Sequence, residues 1–339
     1  MALPATTSGT YTWVYTAGQI ATRALRQVGA IEAGETPDAQ DLNDTIDALN
    51  AWIKERQAAG IHVWTQEEAL LWLQPNQYYY QLGAGSPDVC ADWQSWYQTS
   101  LGAAANSGAA ALSVASISNL AANQNIGVVL STGPLFWTTI AGAAAGSTVN
   151  LAAPLPAPAA SGAAVYAFAP PAQGGANIIR PLRVPFARRY QFQSASGSPI
   201  ETPMVVMSRR DYMDLPNKVG ATGTPSQWYY DPRIGSGLQG PGFLAAWVSP
   251  VDVTSGIRFT WYRPIQDIAN ATELPDLPVE WTQALVRNLA LDIAVEYDVS
   301  PQRYQILERR AQQSLDIVTG WDEEPESTFM GAAMDPTAR

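Results

Sequence analysis

The sequence predicts an α+β chain, with α-helical hairpins at its two ends packed together as a bundle. Between them it predicts a β-rich middle carrying an inserted small β-sandwich or barrel. Three observations lead there. Apolar residues recur at helical spacing in residues 16–60 and 278–320. They alternate at a period of two in the middle, most cleanly at 257–263. Residues 100–172 are almost devoid of charge and rich in Ala, Gly and Ser, with short β-prone runs between turn residues.

Thr16 opens the first helix and forms a capping-box pattern with Gln19. Ile20, Ala24, Leu25 and Val28 fall on one face, and Gly29 is a natural stop. After the brief connection GAIEAGE, Thr36-Pro37 starts a second helix with Pro at its first position. Asp38 and Asp41 lie near the positive end of its dipole, and Leu42, Ile46, Leu49 and Ile53 form the apolar stripe. Gly60 closes it. At the other end Pro278 begins a helix in which Trp281, Leu285, Leu289 and Ile293 recur four residues apart. Ser300-Pro301 caps the last helix, whose Tyr304, Leu307, Ala311, Leu315 and Val318 follow a heptad-like spacing up to Gly320. Helices of this length need a partner face to be stable, which is why a shared bundle is expected.

Residues 203–208, 243–248 and 257–263 read as strands. In the last, Ile257, Phe259 and Trp261 face one side, and Arg258, Thr260 and Tyr262 the other. Within the charge-poor stretch the strand-like runs are ALSVASI, NIGVVL, LFWTTI, STVNLAA and AVYAFA. The expected organisation is therefore 1–80, a helical hairpin and first strand; 81–175, the inserted β domain; 176–270, a β-rich section; 271–320, the second helical pair; and 321–339, an irregular acidic tail.

Composition narrows the function. The 339 residues are 47% hydrophobic and only 14% charged, where about 25% charged is usual. Twelve Trp and fourteen Tyr supply ample material for a core, so the chain does not read as disordered. No run of eighteen apolar residues exists, so no membrane span is expected. The opening MALPATTSGTYTWVYT lacks a basic start followed by an apolar block, so no secretory signal is expected. The single Cys, Cys90, excludes an internal disulfide or a Cys-based zinc site, and the single His, His62, excludes two-His metal motifs. With a net charge of −11, only weak, non-specific contact with DNA is expected, because phosphate affinity comes from Lys and Arg. The cations are seventeen Arg and two Lys, and Arg suits packed carboxylate contacts between subunits.

Individual motifs carry little chemistry. Residues 235–240 spell a literal G-x-G-x-x-G, but Pro241-Gly242 and then a strand follow, so a phosphate would find no helix N-terminus. His62 has no neighbouring nucleophile or orienting acid in the pattern. Glu32 with Glu35, Glu67 with Glu68, and Asp211 with Asp214 are the carboxylate pairs a glycosidase could use, and Tyr78, Tyr79 and Tyr80 could line a sugar cleft or fill a subunit interface. Asn270-Ala271-Thr272 matches a glycosylation sequon without a secretory signal to support it. The one basic concentration is Arg180, Arg183, Arg188, Arg189, Arg209 and Arg210: a solvated face, or a docking surface for acidic groups of a neighbouring copy. The tail sets Asp322, Glu323, Glu324, Glu326 and Asp335 against Arg339 and includes Trp321, Phe329 and Met330, apolar residues that suit anchors for binding. No catalytic, metal or cofactor residue is assigned.

Three blocks carry a family resemblance. They are ATRALRQVGAIEAGETPDAQDLNDTIDALNAWIKERQAAGIHVWT, SRRDYMDLPNKVGATGTPSQWYYDP and LPDLPVEWTQALVRNLALDIAVEYDVSPQRYQILERRAQQSL. In this order they resemble the head-to-tail adaptor proteins of short-tailed bacteriophages, also called tail accessory or head-completion factors. The β content of residues 100–172 departs from the compact members. The resemblance implies a structural virion protein without enzymatic activity, at the head–tail junction. It would form a homo-oligomeric ring, a dodecamer, that surrounds the DNA exit channel. Its neighbours would be the portal protein, the next tail component or nozzle, and tail fibres. The alternative is a tail-associated cell-wall glycan hydrolase or sugar-binding protein.

Overall fold

In the computed structural model the described residues are 13–60, 63–169, 178–192, 198–233 and 240–320. The chain divides into two compact units, one made of the residues up to Thr65 and from Ile265 onwards, the other of Gln66–Pro264.

The first unit is helical. In α1 (Ala17–Val28) the expected capping box is present: Gln19 N donates to Thr16 Oγ1 over 3.3 Å and Thr16 N to Gln19 Oε1 over 3.0 Å. Gly29, at φ +85°, ends the helix in the left-handed conformation. Helix α2 (Ala39–Ala59) starts later than Pro37. The Asp38 carboxylate accepts from Gln40 N over 2.9 Å, which makes Asp38 the N-cap and leaves Pro37 outside the helix. Near the other end, residues Val279–Trp281 form a 3₁₀ turn that leads into α4 (Thr282–Ile293), and α5 (Pro301–Thr319) follows with Pro301 in its first turn.

Helix α4 is the hub of this unit. Its Leu285, Leu289 and Ile293 share one apolar core with Ile20, Leu25, Leu49 and Ile53 of α1 and α2. On its other side Asn288, buried, donates to Ala284 O over 2.9 Å and to Ala311 O of α5 over 3.4 Å. Helix α5 packs on α4 and makes no comparable contact with α1 or α2. The expected bundle of two packed hairpins is therefore corrected. A twelve-residue hub cannot present whole sides to three neighbours, two of them longer than itself, and α5 buries only the Leu307, Ala311, Ser314 and Val318 stripe. Among the described residues the structure is mixed: strand, at 30%, exceeds helix, at 26%, and the body is a set of largely antiparallel sheets.

The second unit is β-rich. Its five-stranded sheet runs β11 (Ile200–Pro203), β10 (Arg183–Gln191), β17 (Ser255–Tyr262), β1 (Gln66–Trp72), β3 (Cys90–Asp92), all antiparallel. A four-stranded sheet runs β12 (Val205–Val206), β14 (Gln227–Asp231), β15 (Gly242–Trp247), β2 (Tyr79–Leu82). The alternation expected of residues 257–263 is present, since Ile257, Phe259 and Trp261 are buried on one face of β17. They meet Trp228, Leu244 and Tyr80 of the other sheet in one sandwich core. A short pair, β13 (Thr222–Gly223) with β16 (Ser249–Pro250), adjoins.

The strand expected at 203–208 is divided. Residues up to Pro203 pair with β10, whereas Val205 and Val206 pair in parallel with β14. Ser208 then forms a capping box with Asp211 and turns the chain into the short α3 (Arg209–Asp214).

The charge-poor stretch folds around its own core of Leu112, Ile126, Val128, Ile140, Val149 and Val165. Its main sheet runs β4 (Trp96–Ser100), β9 (Ala164–Phe168), β6 (Asn125–Val129), β7 (Leu135–Thr139), beside the pair β5 (Ala111–Ser113) and β8 (Thr148–Asn150). A separate aromatic cluster seals this module to the five-stranded sheet. Trp72, Tyr190 and Phe192 of the body pack against Trp96, Trp137, Tyr166 and Phe168. Trp72 is the centre, stacked on Phe168 at 5.5 Å between centroids and edge-on to Trp137 at 4.9 Å.

Candidate interaction surface

The β-sheet register builds a polar ladder on the part of the five-stranded sheet that the module leaves uncovered. Arg188 of β10 lies directly opposite Arg258 of β17, and Glu201 of β11 faces the same side. The Arg258 guanidinium binds Glu201 with one nitrogen and Glu68 of β1 with another. Arg188 reaches Glu201 over 3.2 Å. The ladder thus ties four strands with two cations and two anions. Arg258 also lies 3.9 Å over the Trp93 ring. Burial works against its charge, but the hydrogen bonds and proximity of Glu68 and Glu201 outweigh it and hold the pKa above the usual arginine value. A cleft of about 330 Å³ lined by Gln66, Glu68, Trp93 and Thr260 opens beside the ladder.

A larger cleft, about 580 Å³, is lined by Gln77, Tyr79, Gln81, Asp88 and Leu135. Its carboxylate is occupied: Asp88 accepts from Gln77 Nε2 and from Gln81 N, both over 2.6 Å. Burial raises the Asp88 pKa, and those two hydrogen bonds oppose the rise. Gln74 likewise clasps Leu135, donating to its carbonyl over 2.7 Å and accepting from its N–H over 3.0 Å. These groups hold loops together.

The three carboxylate pairs are also in structural use. Glu35 accepts from Glu32 N over 2.9 Å. Glu67 and Glu68 are neighbours on one strand and so point to opposite faces, one to Arg263 at 2.8 Å and the other to Arg258. Asp211 completes the α3 capping box, and Asp214 lies 3.8 Å from Arg210. The Glu67–Glu68 pair therefore faces no common space, as paired general acid and base chemistry requires. Among the described residues no group of three His, Cys, Asp or Glu side chains is placed to hold a metal ion.

The arginines read from the sequence occupy three places. Arg180 donates to Pro232 O over 2.9 Å. Arg183, Arg188 and Arg189 lie along β10, with Arg188 and Arg189 on opposite faces, and Arg189 reaches the Thr202 hydroxyl at 3.4 Å. Arg209 and Arg210 are exposed on α3, beside β12. Arg183, Arg189 and Arg209 have no carboxylate partner among the described residues. Trp321, Phe329 and Met330 lie outside the described residues, as do His62 and all of the G-x-G-x-x-G run except Gly240.

Sequence reading missed the apolar edge next to these arginines. Strands β11 and β12 each end their sheet. Val205 and Val206 are 62% and 60% exposed, and Phe186 and Ile200 are similarly open. Two adjacent valines that are both exposed signal an edge strand, because an inner strand would bury at least one of them. Glu201 and Trp93 carried no spacing signal; only the register joins them to Arg258.

No protein-family model matches the chain, and no curated protein does. Among the described residues no helix is long and apolar enough to cross a membrane.

Proposed function

We propose that the chain is a structural subunit of a bacteriophage virion, a head-to-tail adaptor. It assembles as a ring, a dodecamer, between the portal protein and the next tail component, the nozzle, around the DNA exit channel. The observation that carries this reading is the order of the three sequence blocks that resemble such adaptors. Two features support it. The described surface offers open strand edges with exposed aliphatic side chains, as a subunit that joins others requires. The net charge of −11 gives a channel wall that repels phosphate and lets DNA slide.

Cryo-electron microscopy of particles carrying a tagged chain tests this. Density for twelve copies at the head–tail junction is the expected result. Tagged chain found only at the tail tip, together with clearing of peptidoglycan by the purified protein, would instead establish the hydrolase alternative.

A further inference from the structure

The cleft of about 580 Å³ contains polar groups that no loop contact uses. Its floor is the outer face of β2, the edge strand of the four-stranded sheet. Tyr79 and Gln81 lie on that face, because the alternate residues Tyr80 and Leu82 enter the sandwich core. Pro134 and Leu135 of the inserted module form one wall, fixed by the Gln74 clasp. The Tyr79 ring stacks on Phe243 at 4.8 Å, and its hydroxyl accepts from the Arg233 guanidinium. Asp88 holds the Gln81 backbone and the Gln77 amide nitrogen. That nitrogen also donates to Tyr79 O over 3.0 Å, so both of its hydrogens are engaged. Among the described residues, Gln77 Oε1 accepts no hydrogen bond, and the half-buried side-chain amide of Gln81 makes none.

These groups select a ligand by chemistry. An unpaired amide both donates and accepts, so the ligand must do both, as hydroxyls do. Between the polar groups stand the Tyr79 ring and the rings of Pro75, Pro87 and Pro134, which suit a molecule with C–H faces and hydroxyl edges. The charges suit no ion. Residues 93–179, which supply the module wall, contain no Asp, Glu, Lys or Arg. Arg233 is engaged with Asp231 at 3.1 Å. An anion would meet the Asp88 carboxylate with no cation lining the cleft, and a cation would meet a carboxylate already bonded at both oxygens. We infer that this cleft binds a neutral mono- or disaccharide. Its hydroxyls bond to the Gln81 amide and to Gln77 Oε1, and its C–H surface lies against the Tyr79 ring. The volume falls within the range of about 300–1,000 Å³ usual for small-molecule sites. Groups already held in place by Asp88, Phe243 and Arg233 lose little freedom on binding. Asp88 is the one carboxylate lining the cleft, so the sugar is bound without the paired acids that cleavage requires. This inference does not depend on the ring reading.

Ligand-observed NMR on the full-length chain tests it. The probes are maltose, lactose, cellobiose and diacetylchitobiose, with anionic sialyllactose and cationic glucosamine as charged counterparts. At least one neutral disaccharide should receive saturation at its ring C–H protons and titrate to a plateau, and the charged sugars should not. Gln81→Ala should weaken that titration about tenfold through the loss of two hydrogen bonds. Its circular dichroism and urea midpoint should be unchanged, because the amide holds nothing within the chain. Tyr79→Phe keeps the ring and should bind within about threefold of the parent, whereas Tyr79→Ala should lose binding. Gln94→Ala, exposed beside the smaller cleft, should bind as the parent does. The inference is overturned if no neutral disaccharide titrates up to about 10 mM, if the charged sugars bind equally well, if Gln81→Ala and Gln94→Ala act alike, or if the bound sugar is cleaved. Microscopy of the particle reads the ring separately. Rings without sugar binding would discard this site and keep the adaptor, whereas sugar binding without rings would do the reverse.

Discussion

Gly127→Ala is expected to destabilise the inserted module out of proportion to one methyl group. Gly127 of β6 lies directly opposite Trp137 of β7, and a Cβ at position 127 would stand 2.8 Å from two atoms of the Trp137 ring. The inner side of the indole is blocked, because it is edge-on to Trp72 at 4.9 Å and to Phe168 at 5.6 Å. Overpacking of this kind costs about 1–3 kcal/mol. Disturbing the two ring pairs adds about 0.5–1.5 kcal/mol each. A total near 3 kcal/mol follows. Trp137→Ala alone should cost about 3 kcal/mol, the low end for an aromatic deletion, because the ring is only half-buried. In the double variant the new methyl occupies the vacated space, so the combined cost should fall about 2 kcal/mol short of the sum. Urea unfolding followed by near-ultraviolet circular dichroism, to which the clustered indoles contribute, measures all three. Additive costs, or a Gly127→Ala variant within about 0.5 kcal/mol of the parent, would refute the wedge.

Leu49→Asp places an unpaired charge at a fully buried position of α2 and should cost about 4 kcal/mol or more, whereas exposed Asn43→Asp should stay within about 0.5 kcal/mol; equal losses of helical signal would reject the face assignment. Replacing residues 100–172 with a Gly/Ser linker should strip the cover from Trp72, Tyr190 and Phe192 and yield a chain that binds an apolar dye and aggregates; a soluble, dye-silent variant would show that the aromatic seal is dispensable. Because burial raises the folded pKa of Asp88 above its unfolded value near 3.9, the native state takes up the proton first, and stability from this group should rise as pH falls through the raised value. Asp88→Asn should flatten that part of the pH–stability curve, and an unchanged curve would remove Asp88 as its source.

The local signals in the sequence were legible where one side chain decides the backbone. Thr16 and Gln19 cap α1 as their spacing says, and the 257–263 alternation places its three apolar residues inside. Association between elements was not legible in the same way. The four terminal helices each show a stripe, and a stripe says that a partner exists without saying which one. A bundle of two hairpins is the economical expectation, and α4 instead serves as a hub for the other three. The arginine cluster shows the same limit. Six arginines within thirty-one positions look like one patch, yet the pleat sends Arg188 and Arg189 to opposite faces, and Arg258, seventy residues from Arg188 in sequence, becomes its neighbour through register alone.

Twelve Trp and fourteen Tyr on a weakly charged chain would suit large subunit contacts. Many of the rings are used within the chain. Trp72, Trp96, Trp137, Tyr166, Phe168, Tyr190 and Phe192 join the inserted module to the body, while Trp228, Trp261 and Tyr80 fill the sandwich core. An insert that must be held to a sheet needs a broad contact at low entropic cost, and rigid rings supply it. What remains exposed is mainly aliphatic: Val205, Val206, Ile200 and Met213 around β11, β12 and α3, and Ile306 and Ile317 on α5. On the proposed ring reading, contacts with other copies would fall on strand edges and helix stripes of this kind. Such surfaces exclude water less completely than an aromatic core, so they should be more sensitive to salt and to single charge reversals than the seal inside the chain.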